Sequence, residues 1–162
     1  MNGHAPQLIL MLLAAILMIC SAISDLRWRE ISNGLNGLIA VLAIPFWFAA
    51  GWTLWPDVAI LVGVAATIFA AFLVMYMFNA MGGGDVKNVF AVFLWVPVPL
   101  TMPSLMVMAL SGAAVSAAML VWQIVKRPEA KPQVPYGVAI AAAGLWALHQ
   151  QYLNQFQAIA SS

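Results

Sequence analysis

Long apolar runs separated by short polar ones dominate this chain. A membrane-crossing helix needs about 20 predominantly apolar residues, and six runs meet or approach that length, at residues 6–24, 34–50, 58–79, 86–100, 104–125 and 136–153. The fourth is the most interrupted. Pro97, Pro99 and Pro103 fall in or just beyond it, and proline lacks the donor that a helix interior requires, so a shortened or kinked helix is expected there. No repeat recurs at a fixed period, and residues 126–135, rich in proline and charge, read as a solvated loop. The pattern predicts an all-α integral membrane protein of six transmembrane helices, forming a single membrane-embedded domain over residues 1–162.

Composition agrees. The chain is 65% hydrophobic and 7% charged, against about 25% charged for a soluble globular domain. Helices taken alternately place the loops at 25–33, 80–87 and 126–135 on one side, and the loops at 51–57 and 101–103 on the other with both termini. Arg27, Arg29, Lys87, Lys126, Arg127 and Lys131 then all lie on the first side and none on the other. The positive-inside rule makes that side cytoplasmic and puts both termini outside. Six basic residues spread over three loops cannot form a surface that tracks phosphates, so no nucleic-acid partner is expected. Trp47, Trp52 and Trp55 fall at the outer edge and Trp28 and Trp122 near the inner edge, as in aromatic belts.

The first run has the length of a signal-peptide core, but it lacks the positive region that precedes one. The bulky Met18 and Ile19 before Cys20 also differ from a lipoprotein cleavage site. It reads as the first transmembrane helix. One cysteine excludes an internal disulfide and any multi-cysteine zinc site, and its neighbours make Cys20 a lipid-facing or core thiol.

Carboxylates are scarce, and a charge inside the hydrocarbon costs roughly 2.5 to 3.5 kcal/mol. The five are Asp25, Glu30, Asp57, Asp85 and Glu129. Asp57, beside Pro56, reads as an outer-side helix cap, and Glu129 as a solvated loop residue. Asp25 ends the first apolar run, while Asp85 follows Gly82, Gly83 and Gly84, whose backbone is free to take positive φ and leaves room for a second segment to approach. Both stand at cytoplasmic helix boundaries and can meet across the bundle. Two such carboxylates cannot both ionise freely, so one keeps a proton while the other is a base. That pair suits peptide hydrolysis by an activated water. Pairing with Arg27 or Arg29 is the plain alternative for Asp25, and Glu30, farther into the loop, is a weaker partner for Asp85. His4 and His149 lie towards the outer side and complete no triad or metal site.

Three stretches together resemble a known family. Gly82-Gly83-Gly84-Asp85 fits the GxGD motif of intramembrane aspartyl proteases, and the Val86-Lys87 that follows resembles type IV prepilin peptidases. Asp25-Leu26-Arg27-Trp28-Arg29-Glu30-Ile31-Ser32-Asn33 is similar to that family's first aspartate motif, with Ser32 where proline is expected. Pro135-Tyr136-Gly137-Val138-Ala139-Ile140-Ala141 is similar to the segment that enters its last helix. The resemblance implies a hydrolase that cleaves the short basic leader of a prepilin or pseudopilin precursor at the cytoplasmic face of the bacterial inner membrane. Asp25 and Asp85 would be the catalytic pair, Gly82, Gly83 and Gly84 the loop, and no metal or other cofactor would take part. Membrane lipid and a pilus or secretion assembly would be its surroundings. With one cysteine and no cysteine-rich insertion, the chain is similar to the short, peptidase-only enzymes that serve tight-adherence (Flp) pili.

Lys87 reads as a bias on Asp85, a contact for lipid phosphate, or a plain inside-positive anchor. Asn33 reads as the cap of the second helix, Tyr136 as an interfacial aromatic, and Gly137 as a packing glycine. Two functions of other classes compete: a small proton-coupled transporter, and a non-catalytic assembly subunit. The transporter expects acidic or polar groups deep in the spans, and the six apolar interiors read as lacking them.

Overall fold

The computed structural model describes residues 5–126 and 134–160. Six α-helices follow one another: α1 (Ala5–Trp28), α2 (Asn33–Ala49), α3 (Ala59–Met77), α4 (Gly83–Phe93), α5 (Thr101–Lys126) and α6 (Tyr136–Ala160). A single wide turn, Leu54–Val58, leads into α3, and one 3₁₀ turn, Val98–Leu100, leads into α5. Among the described residues there is no strand. Three helical stretches among the described residues are long and apolar enough to cross a membrane, Ala5–Trp28, Leu54–Met77 and Val98–Lys126, while α2 is apolar but shorter.

The shortest helix is the centre of the molecule. Seven of the eleven residues of α4 are buried, and it packs against α2, α3 and α6. Around it, α1 lies against α2 and α6, and α5 lies on α6. By contrast α3 and α5 bury only three residues each and present broad apolar faces, with Met77, Met102 and Leu110 more than two-thirds exposed. An outward apolar surface of that extent belongs in lipid.

The fourth helix departs from the expected span at 86–100. It begins three residues earlier and stops at Phe93, so it covers only about 16 Å at 1.5 Å per residue. Prolines at 97 and 99 prevent it from continuing, and its last carbonyls must find other donors, because an unmet backbone group away from water is costly. Trp47 Nε1 donates to the Leu94 carbonyl at 2.9 Å. Gln151 Nε2 donates to the Trp95 carbonyl at 2.9 Å. Trp95 Nε1 in turn donates to the Ile39 carbonyl at 2.9 Å, and its ring packs on Phe46 with centroids 4.8 Å apart. Trp47 is therefore a buried fastening and not part of an interfacial belt. Trp28 and Trp122 are exposed, and so is Cys20.

Two caps also differ from expectation. Ser32 is the N-cap of α2, its Oγ accepting from Leu35 N at 3.2 Å, so Asn33 is free for another contact. Asp57 lies inside the turn before α3 and reaches back, where its Oδ2 accepts from the N and Oγ1 of Thr53 at 2.9 and 2.8 Å. His4, Arg127, Glu129 and Lys131 lie outside the described residues.

Candidate active site

Three helix ends converge at one end of the bundle. Asp25 comes from the last turn of α1, Asp85 from the first turn of α4, and Gly137 from the first turn of α6. Both carboxylates are buried, 4% and 9% exposed. The backbone N–H of Gly137 donates to Asp25 Oδ2 at 2.7 Å. A Cβ on residue 137 would stand 2.8 Å from that same oxygen and from Asp25 Cβ, so only glycine lets α6 approach this closely.

Asp85 lies just ahead of the apolar fourth segment. Its carboxyl is pushed up to about 7 from an ordinary 3.8, first by burial and then by the charge of Asp25, with the backbone N–H of Gly82 opposing. The charge of Asp25 is thus felt at Asp85. Glu30 is exposed and takes no part; its carbonyl accepts from Ser24 Oγ at 2.7 Å. Arg27 lies over the Trp28 ring, 5.9 Å from its centroid. Arg29 turns the chain after α1 in a left-handed conformation, φ 55°, and its N–H donates to the Asp25 carbonyl at 3.0 Å.

Of the two expectations for Gly82, Gly83 and Gly84, freedom in φ and room for a second segment, the structure uses the room. None takes positive φ, and Gly83 and Gly84 are already helical. What requires them is contact. A Cβ at Gly84 would lie 3.2 Å from the Ile31 carbonyl oxygen, one at Gly83 3.3 Å from the Tyr76 ring, and one at Gly82 3.0 Å from Asp85 Oδ2. Further bonds tie this run to the segment after Asp25: Asn36 Nδ2 donates to the Gly84 carbonyl at 3.2 Å, and Lys87 Nζ to Asn33 Oδ1 at 2.8 Å. Asn33 and Lys87 thus form a clasp, not a cap and a free anchor.

Several buried polar residues escaped the sequence reading, and two of them lie beneath the carboxylates. Asn88 and Ser21 are fully buried one turn below the aspartates, with Asn88 Nδ2 3.4 Å from Ser21 Oγ. Their deep position contradicts the expectation of purely apolar interiors. The signal was available, since Asn88 and Asp85 are three apart and Ser21 and Asp25 four apart, spacings that share a helix face.

Tyr136 and Met81 border the site on its other flank. They line an apolar cleft of about 280 Å³ between α3, α5 and α6. His149 is exposed on α6, about 18 Å along the axis from Gly137. Among the described residues, no three His, Cys, Asp or Glu side chains cluster so as to hold a metal ion.

The family model described as the Type IV leader peptidase family matches residues 12–117, a stretch that includes both aspartates and the glycine run. No curated protein and no solved structure matches the chain. The match covers well over half of the sequence, and the helices that surround the two carboxylates are apolar enough for a multi-pass membrane protein. The chain belongs to the type IV leader peptidase family.

Proposed function

We propose that this protein is a membrane aspartyl endopeptidase that removes the leader of a type IV prepilin-like precursor, of the Flp type, at the cytoplasmic face of the bacterial inner membrane. The observation that carries the reading is the pair of buried carboxylates at converging helix ends: Asp25 accepts a backbone N–H from Gly137, and burial together with the charge of Asp25 pushes the Asp85 carboxyl up to about 7. Asp25 is then the base and Asp85 the acid.

Asp25 takes a proton from a water as that water's oxygen attacks the scissile carbonyl. Asp85 gives its proton to the carbonyl oxygen, producing a tetrahedral diol. Return of a proton from Asp25 to the amide nitrogen and of the hydroxyl proton to Asp85 breaks the C–N bond and restores the starting states. Gly137 and the interlock of Gly84 with Ile31 and Asn36 hold the pair in place throughout. The positive-inside distribution of Arg27, Arg29, Lys87 and Lys126 supports a cytoplasmic site with both termini outside. The cleft ending at Met81 and Tyr136 suits an apolar segment of the substrate remaining in the bilayer.

The test is cleavage of a prepilin-like substrate with a short basic leader by purified protein in detergent, read by product mass. Asp25→Asn and Asp85→Asn are each expected to lower the rate by about 10²–10⁴-fold, the scale of general acid–base catalysis, with folded protein retained. Retained activity in either variant removes that residue from the dyad.

A further inference from the structure

Resting on the peptidase reading, we propose that Asn88, acting through Ser21, is a positioning residue that fixes the separation of Asp25 and Asp85. Ser21 and Asp25 occupy one face of α1, four residues apart; Asp85 and Asn88 occupy one face of α4, three apart. The Ser21–Asn88 pair therefore spans the same two helices as the aspartates, one turn deeper. Among the described residues it is the one hydrogen bond between α1 and α4, with Asn88 Nδ2 3.4 Å from Ser21 Oγ.

Helix α6 braces this layer above and below. Above, Gly137 meets Asp25. Below, a Cβ on Gly144 would lie 2.6 Å from Val92 Cγ1 and 2.7 Å from Met18 Sδ, so α1, α4 and α6 are in close contact there too. Between these two contacts the gap between α1 and α4 is spanned by the polar pair.

Stability does not account for an asparagine at this position. Its bond to Ser21 is near the outer limit of hydrogen-bond length, the Ser21 hydroxyl already donates to the Met18 carbonyl at 2.8 Å, and Asn88 Oδ1 has no partner among the described residues while the residue is fully buried. One long bond returns less than an unpaired buried amide oxygen costs. An apolar side chain there would not carry that cost.

The experiment compares full-length wild type with Asn88→Leu, Ser21→Ala and the exchange variant Ser21→Asn/Asn88→Ser, in cleavage of the prepilin-like substrate. Asn88→Leu is expected to lower kcat about 10- to 100-fold, the effect of a small misplacement of catalytic groups, with KM within about twofold and no loss of thermal stability. Ser21→Ala falls in the same direction by less, and the exchange variant recovers most of kcat. A kcat within twofold of wild type in Asn88→Leu, or in Ser21→Ala if Asn88→Leu does not fold, overturns the proposal, as does an exchange variant no better than Asn88→Leu.

Absence of cleavage by folded wild type counts against the peptidase reading alone. The infrared band of the protonated Asp85 carboxyl, titrated in wild type and Asn88→Leu, then decides: a shifted midpoint upholds the positioning role and an unmoved one overturns it. The charged and titratable groups named by the structure for that titration are Asp25, whose charge acts on Asp85, Tyr76 of α3, which lies against Gly83, and Lys87 on α4 itself, held by Asn33 of α2; α6 brings the backbone of Gly137 to Asp25.

Discussion

The two ends of α4 solve opposite problems. At the far end, carbonyls freed by the proline stop are met by Trp47 and Gln151, and the flanking rings of Phe46 and Trp95 are fully buried. At the site end, two carboxylates share an apolar interior with three glycines, and the amide oxygens of Asn36 and Asn88 have no partner among the described residues. One end meets the carbonyls that the proline stop frees, the other carries groups whose burial costs stability. Folds tolerate such violations where function requires them and offset them elsewhere. The far end of α4 is that offset: it anchors the helix so that its first turn can present Asp85 away from water.

The comparison breaks most visibly if the site end is filled. Gly137→Ala puts a methyl 2.8 Å from Asp25 Oδ2 and 2.9 Å from Ile31 Cδ1. The side chain of Asp25 must turn away or α6 must retreat, and either loses the N–H bond at 2.7 Å. A fall in kcat of about 10²-fold is expected, measured in the same cleavage assay with folding checked by circular dichroism. Unchanged kcat would mean that Gly137 does not hold Asp25 in its working position.

A smaller effect comes from pH. Asp85 has its folded value raised to about 7 from 3.8, so the folded state binds more protons than the unfolded one between those values. Its contribution to stability is complete below the unfolded value and is lost as pH rises through about 7. In its proposed role as the acid it would also set an upper limb on activity: kcat/KM should hold up to about pH 7 and fall about tenfold per unit beyond it. A rate that stays flat from pH 6 to pH 9 would remove Asp85 from the acid role.

Much of the site was legible in the sequence because it is written in local terms. A carboxylate after an apolar run, a glycine run before another, and the basic residues on the same side are all visible without a fold. Six helices follow from run length alone. What was not legible depends on partners far apart in the chain. The glycines read as free backbone with room for a second segment, but which groups come close, the Ile31 carbonyl and the Tyr76 ring, is decided by packing alone. Trp47 looked like an interfacial residue because its run ends nearby, and only the early stop of α4 gives its N–H a buried carbonyl to meet. Asn88 was read as part of an apolar span because one amide scarcely changes a hydropathy average.

Trp47→Phe sharpens the contrast from the far end. The ring volume is largely kept, so little cavity forms, but the Leu94 carbonyl loses its donor while remaining buried. Leaving one buried acceptor unpaired costs about 1–3 kcal/mol, which should appear as a lower thermal unfolding midpoint in detergent. The carboxylates lie about 14 Å away along α4, from residue 85 to residue 94 at 1.5 Å per residue. If the far end serves only as an anchor, kcat and KM should each stay within about twofold at temperatures where the variant is folded. A fall in kcat comparable to that of Gly137→Ala would show instead that the tilt of α4, set at its far end, is part of what places Asp85 beside Asp25.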